Sequence, residues 1–225
     1  MGEHVTLRAA DGFELDAYVA HPPGEPWAGL VVVQEAFGVN EHIRSVTDGW
    51  AADGLLAVAP ALFDRVERGV ELGYAGDDLQ KGIAMIRRGD TGDRVKDVAA
   101  ALDYARSATG KKAGVIGYCL GGSMAWLAAT RLHPDAAVGY YGGQILAYAG
   151  EKPKAPIMLH FGLKDDHIPK AEIDSKVAAA HPEVPIYWYD AGHGFNCNPR
   201  ASYSAEAAKL ARERSLEFLR EKLRA

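Results

Sequence analysis

The chain reads as an α/β protein with a mostly parallel central sheet of about eight strands, flanked by helices on both faces. Three observations predict this. Apolar runs of strand length alternate with amphipathic stretches along the 225 residues, the pattern of strands joined by helical crossovers. Two of the runs, Gly29 to Gln34 and Ala113-Gly114-Val115-Ile116, are apolar almost throughout, as strands covered on both faces should be. Turn residues then mark the boundaries, among them Asp11-Gly12, Gly54, Pro60 and Gly110.

The elements follow in order. Val5 to Arg8 and Glu14 to Ala20 flank Asp11-Gly12 and predict an opening antiparallel hairpin. Gly29 to Gln34 is a strand, His42 to Asp53 a helix ended by Gly54, and Leu55 to Ala59 a strand stopped by Pro60. Residues 61–77 have weak periodicity and read as loop. Helical patterns cover 78–88 and 93–108, with Gly110 placed as a C-terminal cap. Next come a strand at 113–118, a helix from Gly121 to Thr130, and strands at 136–141 and 156–161. A helix near 170–180 leads to a strand at 185–190. The last helix starts near Ser202 and puts Leu216, Leu219 and Leu223 on one face. No repeat, low-complexity tract or linker interrupts this series, so residues 1–225 are expected to form a single domain.

Composition bounds the function. The apolar share is 48%, the charged share 24% and the net charge −5 with mixed signs. That leaves no basic footprint for nucleic acid and no polybasic membrane patch. Two cysteines, Cys119 and Cys197, cannot build a disulfide framework and suit a reducing compartment. The N-terminal residues lack the pattern of a signal peptide, and no apolar run reaches membrane-spanning length. The expected setting is cytoplasmic, as a monomer or small homo-oligomer acting on a small molecule.

The most informative stretch is Gly117-Tyr118-Cys119-Leu120-Gly121, between an apolar strand and an alanine-rich helix. A nucleophile on so sharp a turn needs glycines around it, because a Cβ would strike the adjoining strand and helix; Gly117, Gly121 and Gly122 supply the clearance. The turn exposes the thiol above the sheet and sets it at a helix N-terminus, whose dipole favours a thiolate. A buried structural cysteine on a tight turn would give the same pentapeptide. The residues beyond the other strands separate the two readings.

Catalysts in open α/β sheets collect at the carboxyl ends of strands. Beyond the strand at 156–161 lie Asp165, Asp166 and His167, and beyond the last strand lies Asp190-Ala191-Gly192-His193-Gly194-Phe195. The order Cys119, aspartate, His193 is the nucleophile–acid–histidine order of α/β-hydrolases. His193, in a glycine-flanked loop, is the base candidate among eight histidines. The acid is Asp165 or Asp166, the other being free to cap the following helix. His160, Asp165, Asp166 and His167 lack metal-site spacing, so no metal is expected there. Gln34-Glu35-Ala36-Phe37 occupies the place that supplies the second oxyanion N–H, so the backbone amides of Ala36 and Leu120 are the expected donors. A carboxylate at Glu35, beside the thiol, would oppose thiolate formation. If substrate moved it, the cysteine would be activated on demand.

Four segments together resemble the dienelactone hydrolase family: Gln34-Glu35-Ala36-Phe37-Gly38-Val39-Asn40, Gly117 to Gly122, Ala137-Val138-Gly139-Tyr140-Tyr141-Gly142 and Ala191-Gly192-His193-Gly194-Phe195. The resemblance runs over nearly the whole chain. It implies an α/β-hydrolase fold and a Cys119–His193–Asp165 triad that hydrolyses esters or lactones without metal or organic cofactor. In the family's G-x-x-D-x-x-V-P pattern the acid falls on Asp165, with Ile168 in the valine place. The family's mobile glutamate falls on Glu35. The family holds a substrate carboxylate with arginines, one of them in the pattern A-G-H-S-F-A-R, where this chain has Cys197. The second would fall among Arg65, Arg68, Arg87 and Arg88. Phe37, Tyr74, Tyr141, Phe195 and Cys197 are the candidates to contact substrate. The alternatives are a non-catalytic relative binding a small hydrophobic ligand, or a redox-responsive one using Cys119 and Cys197.

Overall fold

A computed structural model describes residues 2–224. Eight strands form one sheet: β1 (Glu3–Arg8), β2 (Glu14–Ala20), β3 (Ala28–Val33), β4 (Leu55–Pro60), β5 (Ala113–Tyr118), β6 (Ala136–Tyr140), β7 (Ile157–Gly162) and β8 (Ile186–Tyr189). Their spatial order is β1-β2-β4-β3-β5-β6-β7-β8. The β1–β2 hairpin is antiparallel, β2 meets β4 antiparallel, and every pair from β4 to β8 is parallel. The helices are α1 (Glu41–Ala52), α2 (Asp77–Arg88), α3 (Thr91–Thr109), α4 (Leu120–Arg131), α5 (Lys170–Ile173) and α6 (Ala205–Arg224); those between parallel strands lie in the crossovers, and α6 follows the last strand.

Side-chain alternation shows why the central strands are apolar on both faces. Gly29 of β3 pairs with Ala113 of β5, and a Cβ on Gly29 would meet Ala105 of α3 at 2.9 Å. One residue on, Gly114 faces Leu219 and Leu223 of α6. Neighbours in a strand point to opposite faces, so α3 and α6 cover opposite sides. Residues of β3, β4, β5, β6 and β7 are accordingly buried throughout, while β1 at the edge is mostly exposed. Leu219 and Leu223 are buried as their shared face predicts.

Some boundaries differ from the sequence reading. β4 runs through Pro60, which pairs with Ala17 as the last strand residue, a position where a missing N–H is tolerated. The helix expected over 170–180 is one α-helical turn followed by a π-helical turn at Asp174–Ala178. α6 begins at Ala205, where Ser204 accepts the Ala207 amide, rather than near Ser202. A 3-10 turn at Gly143–Tyr148 had no signal in the sequence. Gly110 caps α3 at φ +63°, donating to the Arg106 carbonyl, as expected.

Candidate active site

The site is assembled from four segments beyond the carboxyl ends of β3, β5, β7 and β8. Cys119 follows β5 directly and takes φ +54°, ψ −110°, a region that costs about 1–3 kcal/mol for a residue with a Cβ. Its surroundings hold it there. The Cys119 amide donates to the Tyr140 carbonyl at 3.0 Å and the Gly121 amide to the Gln34 carbonyl at 3.0 Å. A Cβ at Gly117 would lie 2.0 Å from the Gly121 carbonyl oxygen, one at Gly121 2.2 Å from that of Val33, and one at Gly122 2.2 Å from that of Tyr140. All three glycines are therefore places where backbone meets backbone.

His193 stands in the turn after β8, with Gly194 at φ +77° beside it. Its Nε2 lies 3.3 Å from Cys119 Sγ and its Nδ1 2.7 Å from Asp165 Oδ2. The ring packs on Tyr141, centroids 5.1 Å apart, and Ser202 anchors the turn by donating to the His193 carbonyl at 2.6 Å. Asp165 sits after β7 with its side chain fully buried, and its other oxygen accepts the His167 amide at 2.9 Å. Burial disfavours the Asp165 carboxylate, but the hydrogen bond and charge of His193 outweigh it and hold the group below the ordinary range. Burial likewise disfavours the imidazolium of His193. The adjacent Cys119 and Asp165 outweigh that and raise it. Asp166, the other candidate acid, is exposed. The metal-like grouping around β7 is split up: His160 is buried between Tyr189 Oη and Ser215 Oγ, and burial lowers it to about 3, leaving it neutral.

Leu120 is the first residue of α4, where an amide has no intrahelical acceptor. Ala36 lies three residues beyond β3 in a loop held on both sides. Gln34 donates to the Glu35 carbonyl and accepts the Leu62 amide at 3.0 Å, and Gly82 of α2 packs against the Ala36 carbonyl. The loop at 61–77 is tied to the same segment. Gly38, at φ +80°, bridges Glu71, and Asn40 caps α1 while donating to the Leu72 carbonyl and Tyr74 Oη.

Glu35 is fully buried, with Oε1 accepting from Tyr141 Oη at 3.3 Å. Burial and Glu35 both raise Tyr141, so its hydroxyl stays a donor. Of the residues expected to contact substrate, Tyr74 borders a cleft of about 520 Å³. Phe37, Tyr141, Phe195 and Cys197 are enclosed, with Phe195 packed among Tyr140, Tyr141 and Tyr189. Cys119 and Cys197 are both free thiols.

The arginines named from sequence are engaged elsewhere. Arg65 pairs with Asp97 and Asp11, and Arg68 with Asp64 and the Glu14 carbonyl, while Arg87 and Arg88 end α2 exposed. An arginine that the sequence reading did not name, Arg200, stands closer to the site. Its guanidinium stands 6.0 Å over the Phe37 ring and leans on Gly194, next to His193. Among the described residues no carboxylate pairs with it. The available signal was an arginine three residues past the place taken by Cys197, in a loop that folds back through Cys197 N–Gly194 O and Arg200 N–Cys197 O hydrogen bonds.

A thiol, an imidazole and a buried carboxylate bonded in series can move a proton off the sulfur and return it to a leaving group. Residues 15–223 match the dienelactone hydrolase family. Carboxymethylenebutenolidase of Pseudomonas putida is 36% identical over 226 residues, 96% of this chain and 95% of that one. The carboxymethylenebutenolidase of Pseudomonas sp. (strain P51) is 32% identical over 227 residues, 97% and 94% of the two chains. A crystal structure assigned as a dienelactone hydrolase, from Klebsiella pneumoniae subsp. pneumoniae MGH 78578, superposes with a TM-score of 0.82 at 27% identity, covering 96% of this chain and 98% of that one. The fold, the order of the elements and these likenesses together place the chain in the dienelactone hydrolase family of α/β-hydrolases.

Proposed function

We propose that the chain is a cysteine-dependent hydrolase of carboxylic esters or lactones, with Cys119 as nucleophile, His193 as general base and acid, and Asp165 as the group that orients His193. One observation carries the reading. His193 Nε2 lies 3.3 Å from Cys119 Sγ while Nδ1 is held 2.7 Å from a buried carboxylate.

The steps follow from that geometry. His193 Nε2 takes the thiol proton, and the sulfur adds to the acyl carbonyl. The Ala36 and Leu120 amides receive the oxyanion. The intermediate expels an enolate or alkoxide, which takes the proton from His193, and a thioester to Cys119 remains. Water then attacks the thioester as His193 removes its proton. The second intermediate releases the acid and expels the Cys119 sulfur, which takes the proton back from His193 and restores the thiol. An enol-lactone, with a stabilised leaving enolate, makes acylation easy.

Arg200 is the cation best placed to meet an anionic substituent on the substrate. The carboxymethylenebutenolidase relatives carry in their names a carboxylate-bearing lactone. An enol-lactone with a carboxylate is accordingly the favoured substrate class. The non-catalytic alternative has lost ground, because every member of the triad is present and within hydrogen-bond reach of the next.

Steady-state hydrolysis of p-nitrophenyl acetate and a dienelactone by native protein and Cys119→Ala tests the proposal. The expected loss is about a thousandfold or more in kcat/KM. Substantial, equal rates for both proteins would put the chemistry somewhere other than the elbow.

A further inference from the structure

Buried polar atoms are normally partnered, and the exceptions ask for a reason. Among the described residues, Glu35 Oε2 and His42 Nε2 are two such exceptions, buried without a hydrogen-bond partner. Both residues lie beside the buried Cys197 thiol: a Glu35 carboxylate oxygen, a His42 ring nitrogen and Cys197 Sγ lie within 4.8 Å of one another.

The second polar atom of each flanking residue is tied down outside this triangle. Tyr141 Oη donates to Glu35 Oε1 at 3.3 Å. The Asn198 side-chain oxygen Oδ1 lies 3.0 Å from His42 Nδ1, a contact that fits a ring protonated at Nδ1 with a lone pair on the buried Nε2. Two acceptors therefore aim at one thiol. A single S–H can satisfy one of them and leaves the other orphaned. A cation would satisfy all three atoms at once.

We propose that Glu35, His42 and Cys197 form a binding site for a borderline-soft divalent transition-metal ion of the Zn²⁺ kind. Sulfur, imidazole nitrogen and carboxylate oxygen are the donors that Zn²⁺ takes, and they disfavour Mg²⁺ and Ca²⁺, which want oxygen alone. Tetrahedral bonds of about 2.0–2.3 Å set ligand atoms roughly 3.3–3.7 Å apart, so the trio, whose atoms lie within 4.8 Å of one another, must draw together by up to about 1.5 Å to close. Tyr141 and Asn198 are then the outer partners that fix ligand orientation. His42, Tyr74 and Asn198 line the cleft of about 520 Å³, which gives the ion an entry path and leaves a fourth position for water. On binding, the Cys197 S–H bond breaks, its proton leaves to solvent, and the sulfur–metal bond forms; no electron is transferred. The ion would pin Glu35, the neighbour of the amide at Ala36.

Co²⁺ is the probe, added to chelator-treated full-length protein, because a cobalt–thiolate bond gives a charge-transfer band in the near ultraviolet. The expected result is a band that saturates at one equivalent of Co²⁺ and is displaced by Zn²⁺. Cys197→Ser should abolish the band, and His42→Gln should weaken Co²⁺ binding by about a hundredfold. Cys119→Ser should leave both unchanged, and circular dichroism checks that each variant is folded. A native protein without the band, a band that survives Cys197→Ser, or one lost with Cys119→Ser would overturn the proposal. The last outcome would move the ion to the thiol–imidazole pair of the elbow.

Discussion

Asp165→Asn perturbs the proposed triad at the position where the structure gives the clearest magnitude. The carboxylate is fully buried and meets His193 Nδ1 at 2.7 Å. A charge-assisted bond of this kind contributes about 1.5–3 kcal/mol, roughly ten- to a hundredfold in rate if it is felt in the transition state. A second effect adds to this. Asp165 Oδ1 accepts the His167 amide at 2.9 Å, so the asparagine keeps its oxygen there and turns its NH2 toward Nδ1. The neutral ring must then carry its proton on Nε2, where it can no longer accept the thiol proton. The expected loss in kcat/KM on p-nitrophenyl acetate is therefore about a hundredfold or more, with slower alkylation of Cys119 by iodoacetamide. The exposed Asp166→Asn should stay within about twofold. Stability supplies an independent readout. Asp165 is held below its unfolded value of about 3.9, so its contribution is present above that pH and lost as pH falls through the depressed folded value. His193 is held above its unfolded value of about 6.5, so its contribution is full below that pH and lost as pH rises through the raised folded value. The gap in Tm between native protein and Asp165→Asn should be widest between about pH 4 and 6.5 and narrow on either side. A rate loss below about fivefold, with alkylation unchanged, would refute the assignment of Asp165.

Two further substitutions test the elbow and the substrate side. Gly121→Ala puts a Cβ 2.2 Å from the Val33 carbonyl oxygen, backbone that cannot step aside. It should cost about 2–3 kcal/mol and lower Tm by about 4–10 °C in a thermal melt, and a change under about 1 °C would remove the steric account of this glycine. Arg200→Gln should raise KM for a carboxylated lactone about tenfold, the loss of one charge-assisted bond, and leave p-nitrophenyl acetate unaffected. Equal effects on the two substrates would mean that Arg200 shapes the loop rather than recognising charge.

The part of the site that sequence made legible is the part governed by local sterics and by the ends of strands. Gly117, Gly121 and Gly122 had to be glycine for a nucleophile turn to fit, and a Cβ added at each would lie 2.0–2.2 Å from a carbonyl oxygen. His193 followed from its place beyond the last strand, and chain order with an aspartate completed the triad. The choice between Asp165 and Asp166 needed the family pattern, because local spacing cannot say which of two adjacent carboxyls turns inward. The surroundings of Glu35 were illegible for a different reason. Tyr141, His42 and Cys197 reach it from just beyond β6, from α1 and from the loop before α6, and no local pattern links those positions. The segment at 61–77 was hidden in the same way. Its order comes from Gly38 and Asn40, which tie it to the loop after β3.

Position 197 connects the substrate question to the buried trio. An arginine there, as in the family's pattern, would bring a guanidinium next to Glu35, whose second oxygen would then have a charged donor. Cys197 offers one weak donor, and burial together with Glu35 pushes its thiol up, so it stays protonated in the absence of a cation. With cysteine at 197, the guanidinium near His193 is that of Arg200, over the Phe37 ring and beside Gly194, and three metal-type donors stand together. Cys197→Arg should give Glu35 a charged partner and, by removing the thiolate ligand, abolish the Co²⁺ band in the same titration.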